Sequence, residues 1–314
     1  MANALLMQTS SKPMPGLQSW PQLCRLQSVI ERRFAFSRSL VGRALDTFGA
    51  QWADEFETLL SSLFEDEAAL ETAMKGYSAF AMDSMRHQRA FEKTREYPNK
   101  TYAEAAQAVY FNEAHMLREY LPGLLLSHFL WPHHYRQLQF FDMAFAAPLA
   151  RAADKRFAEV GVGTGVYARR LLSCMPQAQG LGYDISPSSC QFATQHLAAA
   201  GVSGRFAMRL QDIVAQPMEP VPWLVCVEVL EHLEDPVAFL RVLRQAVAPS
   251  GKAFITAALN AAHADHIYLY RNAQEVWQHL DAAGFHVEQS FVAAAYAPSA
   301  PGVPVPLAAA FVVS

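Results

Sequence analysis

The stretch RFAEVGVGTGVYARRLL, Arg156 to Leu172, constrains the fold more than any other part of the chain. A short apolar run ends in glycines at alternate positions, Gly161, Gly163 and Gly165, and an amphipathic helical pattern follows at once. Glycine takes up positive φ without steric penalty, so this spacing predicts a tight turn from a strand into a helix, with backbone open to close approach by a ligand. In an open parallel sheet such a turn lies at the C-terminal ends of the strands, where nucleotide-like ligands bind.

The residues that follow supply that sheet. GLGYDI, RFAMRLQ, WLVCVEVL and KAFITAAL read as further strands, with SPSSCQFATQHLAAAG, DPVAFLRVLRQAV and NAQEVWQHLDAAG as helices. Strands apolar on both sides that alternate with amphipathic helices argue a parallel sheet covered on both faces. The last two strands, HVEQSFVAAAY and PLAAAFVVS, have no helix between them and are expected to pair as an antiparallel edge. Before residue 151 the pattern is helical. Phe56, Leu59, Leu60, Leu63 and Phe64 share one helix face, and further helices are expected around Tyr77–Arg95, Tyr102–Tyr120 and Tyr135–Leu149, with breaks at Pro98, Pro122-Gly123 and Pro132. Glycine divides accordingly, five of 15 lying before residue 151. The expected fold class is α/β: a doubly wound, mostly parallel, seven-stranded Rossmann-like sheet in residues 151–314, and an all-helical domain in residues 1–150.

Composition narrows the function. A chain of 314 residues with 52% hydrophobic content can bury a large core. Its net charge of -4 comes without a cluster of Lys and Arg, so no nucleic-acid partner is expected. The four cysteines, Cys24, Cys174, Cys190 and Cys226, show no metal-type pairing, and no uncharged apolar run reaches membrane-spanning length. A cytoplasmic protein with a small-molecule partner and no membrane partner is expected, and a homodimer is compatible with this reading.

A dinucleotide fingerprint would need a third glycine where Val166 stands. What remains, Glu159 followed by the three alternating glycines, resembles motif I of the class I S-adenosylmethionine-dependent methyltransferases. The supporting positions fall in order. Asp184 ends the second strand, where an acidic side chain accepts hydrogen bonds from both ribose hydroxyls. The resemblance implies that Ile185 packs on adenine and that Asp212 meets the adenine amino group. CVEVLEHLEDP is similar to the corresponding stretch of the ubiquinone-biosynthesis O-methyltransferases, and the whole resemblance covers roughly residues 155 to 290. It implies a Rossmann-like methyltransferase domain that binds S-adenosylmethionine through Glu159, Gly161, Gly163, Gly165, Asp184, Ile185, Asp212 and Glu228. The reaction implied is methyl transfer to a small molecule, with oxygen favoured as acceptor atom. Helices placed before the first strand commonly form a lid over the substrate in that family.

Glu228, Glu231 and His232 form E-x-x-E-H at a strand end, and HADH, His263 to His266, follows the next strand. Loops at adjacent strand ends are neighbours, so Glu228, Glu231, His232 and His266 could converge on Mg²⁺ or Mn²⁺. The pattern resembles the metal site of small-RNA 3′-end 2′-O-methyltransferases. In metal-free relatives the same residues support the loop or act as acid and base, which makes His232 and Glu231 catalytic candidates in either case. YLPGLLLSHFLWPHHYRQLQFF adds His133, His134 and Tyr135 as further catalytic candidates, against the plainer reading that this aromatic stripe is packing. Two other functions share the architecture. A closed site could make S-adenosylmethionine cyclise on itself, giving azetidine-2-carboxylate and methylthioadenosine, and a non-catalytic binder would leave the cofactor intact.

Overall fold

The computed structural model describes residues 16–110 and 112–314, and the chain divides into two compact units, Met1–Leu70 and Glu71–Ser314. In the first, helices α1 (Pro21–Arg33) and α2 (Leu40–Leu63) pack together. The Glu57 carboxylate of α2 accepts the Gln22 and Leu23 amides at 2.8 and 2.9 Å, which satisfies donors that the first turn of α1 leaves free. Phe56, Leu59 and Leu60 are buried, as their helical spacing requires. The chain enters the second unit along α3 (Glu67–Thr94).

The helical part of that unit comprises α4 (Tyr102–Ala108), α5 (Glu113–His115), α6 (Leu121–Leu130), α7 (Pro132–Phe141) and α8 (Ala147–Arg151). The break expected at Pro122-Gly123 does not occur. A π turn at Met116–Tyr120 leads directly into α6, and a second at Asp142–Ala146 leads into α8. Pro122 and Pro148 each stand within the first two positions after a π turn. A proline lacks the amide that would continue the i→i−4 ladder, and a wider turn just ahead of it lets the chain go on without that bond. Gly123 has a different reason: a Cβ there would stand 2.5 Å from the Phe80 Cβ of α3, so the glycine permits the helices to cross closely.

Seven strands form one sheet in the order β3-β2-β1-β4-β5-β7-β6. They are β1 (Arg156–Val160), β2 (Gln179–Asp184), β3 (Phe206–Leu210), β4 (Val221–Cys226), β5 (Val247–Leu259), β6 (Val287–Ala294) and β7 (Leu307–Val313). The first five pair in parallel, and β7 runs antiparallel to both β5 and β6. The expected antiparallel pair is present, with the apolar LAAAFVV inside and the mostly exposed VEQSFVAA at the edge. Helices α9 (Val166–Cys174), α10 (Pro187–Ala199), α11 (Pro236–Ala246) and α12 (Ala273–Ala282) complete the doubly wound pattern.

The change from helix to alternating strand and helix falls near Ala150, while the compact units part at Leu70. Residues 71–151 therefore belong with the sheet. Phe141 meets Tyr167 and Phe254 edge-on, each at 4.9 Å between ring centres, and Phe145 meets Trp223 at 5.3 Å. Register places Val160 beside Cys226 and Cys226 beside Ile255, so the loops that leave β1, β4 and β5 emerge side by side.

Candidate active site

Gly161, Gly163 and Gly165 all have positive φ, at 70°, 52° and 72°. The loop is tied to β2: the Gly161 amide donates to the Tyr183 carbonyl at 2.8 Å, and the Gly163 amide donates to Asp184 Oδ2 at 3.0 Å. Asp184 also accepts from the Ser186 amide at 2.8 Å. Burial pushes its carboxyl above the ordinary range, although these backbone donors favour the charged form. Ile185 is 52% exposed next to it, free to cover a flat ligand. Asp212 is exposed beyond β3, with Oδ1 accepting from the Val214 amide at 2.8 Å. Tyr102 at the start of α4 stands near this end of the site: burial, then the charges of Asp184 and Asp212, raise its phenol. Glu159 is buried behind the loop with Oε2 unpartnered, and burial pushes its carboxyl up to about 8.

Past β4 the backbone takes an uncommon turn. Glu228 has φ 52°, a left-handed conformation that a non-glycine residue adopts only when its surroundings enforce it. Thr256 of β5 does so, since its hydroxyl accepts the Glu228 amide at 2.9 Å and donates to the Glu228 carboxylate at 2.6 Å. Glu231 is wholly buried; the Glu228 carboxyl and the Glu231 and Ala258 amides lie beside its carboxylate, but neither oxygen makes a well-formed hydrogen bond. Burial and the adjacent Glu228 charge hold it well above the usual carboxylate range. One ligand atom each from Glu231, His232 and His266 lies within 4.8 Å of the others. Glu228 stands beside this trio rather than in it, and His263 is likewise outside it.

Both imidazoles are fixed from behind. His232 Nδ1 lies 2.9 Å from the Asp265 carbonyl and His266 Nδ1 lies 2.6 Å from the Ala261 carbonyl. A carbonyl only accepts, so each Nδ1 carries a proton, and in the neutral ring Nε2 is left with a lone pair. Outer partners of this kind orient metal-binding histidines. Asp265 is buried, and both the Tyr110 and Tyr120 hydroxyls donate to its Oδ2, at 2.9 and 2.8 Å. Burial alone would raise the Asp265 carboxyl, but the surrounding His232, His266 and His263 and the Tyr120 hydroxyl hold it below the ordinary range. A buried carboxylate with two free oxygens beside two imidazoles with bare Nε2 atoms fits a divalent cation.

The histidine-rich helices lie against this loop. His263, Phe80, Trp131 and His133 stack in series, with ring centres 5.3, 5.4 and 5.7 Å apart. His134 lies 4.3 Å from His133 and 5.5 Å from His128, between ring centres. Ser127 donates to the Leu124 carbonyl at 2.7 Å, so its oxygen accepts from His134 Nδ1 at 3.0 Å, which again leaves Nε2 bare. Burial pulls both His128 and His133 down to about 3, and each has an unpartnered Nδ1. Imidazoles held this low are hydrogen-bonding groups at neutral pH and weak bases. Tyr135 is fully buried, its ring 5.9 Å from that of Phe129. Tyr110, Tyr120 and Thr256 were not singled out from sequence. Their partners lie far along the chain; the aromatic density of the helical half is the one signal for the two tyrosines, and Thr256 has none.

A doubly wound sheet with a left-handed glycine turn and an acidic residue ending β2 defines a nucleotide-type ligand site. Residues 158–253 match a family described as a methyltransferase domain. A release factor glutamine methyltransferase of Cereibacter sphaeroides is 38% identical over 80 residues, 26% of this chain and 27% of that protein. A ubiquinone biosynthesis O-methyltransferase of Xanthomonas euvesicatoria is 27% identical over 105 residues, 33% of this chain and 43% of its own. The matches thus span less than half the length of these curated relatives. Among solved structures, a candidate O-methyltransferase of Nostoc punctiforme shares the fold with a TM-score of 0.50 at 13% identity, covering 77% of this chain and 72% of that one. Over residues 158–253 the chain is thus similar to methyltransferase domains, and the comparisons support a domain of the class I S-adenosylmethionine-dependent kind there. Among the described residues no helix is long and apolar enough to cross a membrane.

Proposed function

We propose that this protein transfers a methyl group from S-adenosylmethionine to an oxygen of a small molecule, with a divalent cation held by Glu231, His232 and His266. The observation that carries the reading is Glu231: a wholly buried carboxylate with two unpartnered oxygens, next to two imidazoles whose bare nitrogens are fixed from behind. Buried polar groups are normally satisfied, and a cation satisfies this set. When bound, it lowers the pKa of an acceptor hydroxyl and orients it.

The chain's own groups account for the rest. The glycine loop and Asp184 hold the donor, with Ile185, Asp212 and Tyr102 around its nucleoside end. Glu228 lies outside the cation-binding trio at the same strand end, and burial raises its carboxyl above the ordinary range, so it is the group assigned to take the acceptor proton. His128, His133 and His134 offer uncharged hydrogen-bonding groups to the far end of the acceptor. The helices of residues 71–151 act as the cover that excludes water. The balance is simple: the sulfur–methyl bond breaks, the oxygen–methyl bond forms, and the acceptor proton leaves through Glu228.

Two measurements test this together. Calorimetry with Mn²⁺ should show binding to EDTA-treated wild-type protein and loss of that binding in Glu231→Gln, with affinity for S-adenosylhomocysteine retained. Mass spectrometry after incubation with S-adenosylmethionine and a panel of hydroxylated aromatics should show S-adenosylhomocysteine and a product heavier by one methylene. Methylthioadenosine formed without any acceptor would replace methyl transfer with cyclisation of the cofactor.

A further inference from the structure

The glycine loop has a second anchor, in α10. His196 of α10 is buried, 1% exposed, and its Nδ1 lies 2.7 Å from the Thr164 carbonyl, between Gly163 and Gly165. Its Nε2 lies 3.2 Å from Nη1 of Arg169 on α9. A carbonyl only accepts and a guanidinium only donates, so the tautomer is fixed: Nδ1–H donates to the loop and Nε2 accepts from Arg169. Burial, with the Arg169 charge second, pulls the imidazole down to about 3, so it stays neutral and keeps that arrangement. The Arg169 amide donates in turn to the Gly165 carbonyl at 2.9 Å, which closes the connection from α9 back to the loop. One turn before His196, Ala193 packs against the loop so closely that a Cβ on Gly165 would stand 3.2 Å from its Cβ.

We propose that His196, backed by Arg169, is a positioning residue for the half of the loop that receives the amino-acid portion of the cofactor. The inference rests on the S-adenosylmethionine reading of the site. Asp184 and the Gly161 and Gly163 amides fix the half of the loop nearest the ribose. Thr164 and Gly165 open α9, and the peptide between them is held at both ends: its Gly165 amide donates to the Val162 carbonyl at 2.8 Å, and its Thr164 carbonyl accepts from His196. A peptide that cannot flip presents one fixed face to the ligand, so its ordering is not charged against binding.

Asparagine and glutamine separate the two contacts of His196, because their amides reach the Nδ1 and Nε2 positions respectively. Binding of S-adenosylhomocysteine and of adenosine is measured by calorimetry for wild type and for His196→Asn, His196→Gln and His196→Leu. His196→Asn keeps the donor to Thr164 and should bind S-adenosylhomocysteine within about threefold of wild type, whereas Gln and Leu should weaken it by about tenfold or more. Adenosine, which lacks the amino-acid portion, should change by less than about threefold throughout. Equal loss for both ligands, or wild-type affinity in His196→Gln, overturns the proposal. Should His196→Leu fail to fold, the contrast between Asn and Gln decides. Wild-type protein that bound neither ligand would overturn the cofactor reading and this inference with it; S-adenosylhomocysteine binding with no such contrast overturns the inference alone.

Discussion

Gly161 and Gly163 share a left-handed backbone but face different neighbours. A side chain on Gly161 would collide with Val229, whereas a Cβ on Gly163 meets no protein atom within 4 Å. Alanine at Gly163 should therefore lower stability only by the left-handed strain, about 1–2 kcal/mol, and project into the ligand's space. Gly163→Ala is expected to melt cooperatively near the wild-type temperature and to lose S-adenosylhomocysteine binding, while Gly161→Ala should lose several degrees of melting temperature. Thermal melts with and without ligand check both; a Gly163→Ala protein that is stabilised by ligand as strongly as wild type contradicts the placement. The glycines, Glu159 and Asp184 were legible in sequence because the whole signal sits within a strand, a turn and the end of the next strand. Their second anchor was not: His196 stands 32 residues from Thr164, and nothing in a local pattern separates it from an ordinary histidine in an amphipathic helix.

At the scale of elements, α6 and α7 are unusual in burying His128 and His133 uncharged. Both are pulled from the ordinary 6.5 to about 3. The unfolded chain then binds protons that the folded one refuses, so their contribution is complete above about pH 6.5 and is lost as pH falls toward 3. His133→Leu removes one such group, and the midpoint of its acid unfolding, followed by circular dichroism, should move down by about half a pH unit. An unchanged midpoint would mean that His133 is as easily protonated in the folded protein as in the unfolded one. The periodicity of this segment announced helices correctly, yet the proline at 122 suggested a break that is absent. A proline stops a helix only if the preceding turn is an ordinary one, and a π turn has no distinctive sequence pattern. The loop cluster shows the same limit. E-x-x-E-H and HADH were visible as chemistry, but Tyr110 and Tyr120, which hold Asp265 from 155 and 145 residues away, were not.

For the whole molecule, the division at Leu70 makes a claim about what can fold alone. A fragment of residues 66–314 keeps α3 and the ring contacts of Phe141 and Phe145 with Tyr167, Phe254 and Trp223. It should be monodisperse, melt cooperatively and bind S-adenosylhomocysteine. A fragment of residues 151–314 exposes that aromatic face and should aggregate. Size-exclusion chromatography and calorimetry check the pair, and a monomeric, ligand-binding 151–314 fragment would contradict the packing described. The seven-stranded plan was readable from alternating strands and helices, whereas the helices' membership in the same unit depends on contacts across the sheet face.

The order β5-β7-β6 also has a consequence in time. During synthesis β6 leaves the ribosome before β7, yet its ladder partner among the described strands is β7, so it has no place in the sheet when it first emerges. β5 waits as well, with its outer edge of amides and carbonyls unpaired. Arrival of LAAAFVV fills both ladders in a single step. The newborn chain thus carries an open sheet edge until LAAAFVV is made, and an unpaired edge of that kind invites pairing with a neighbour on the same messenger.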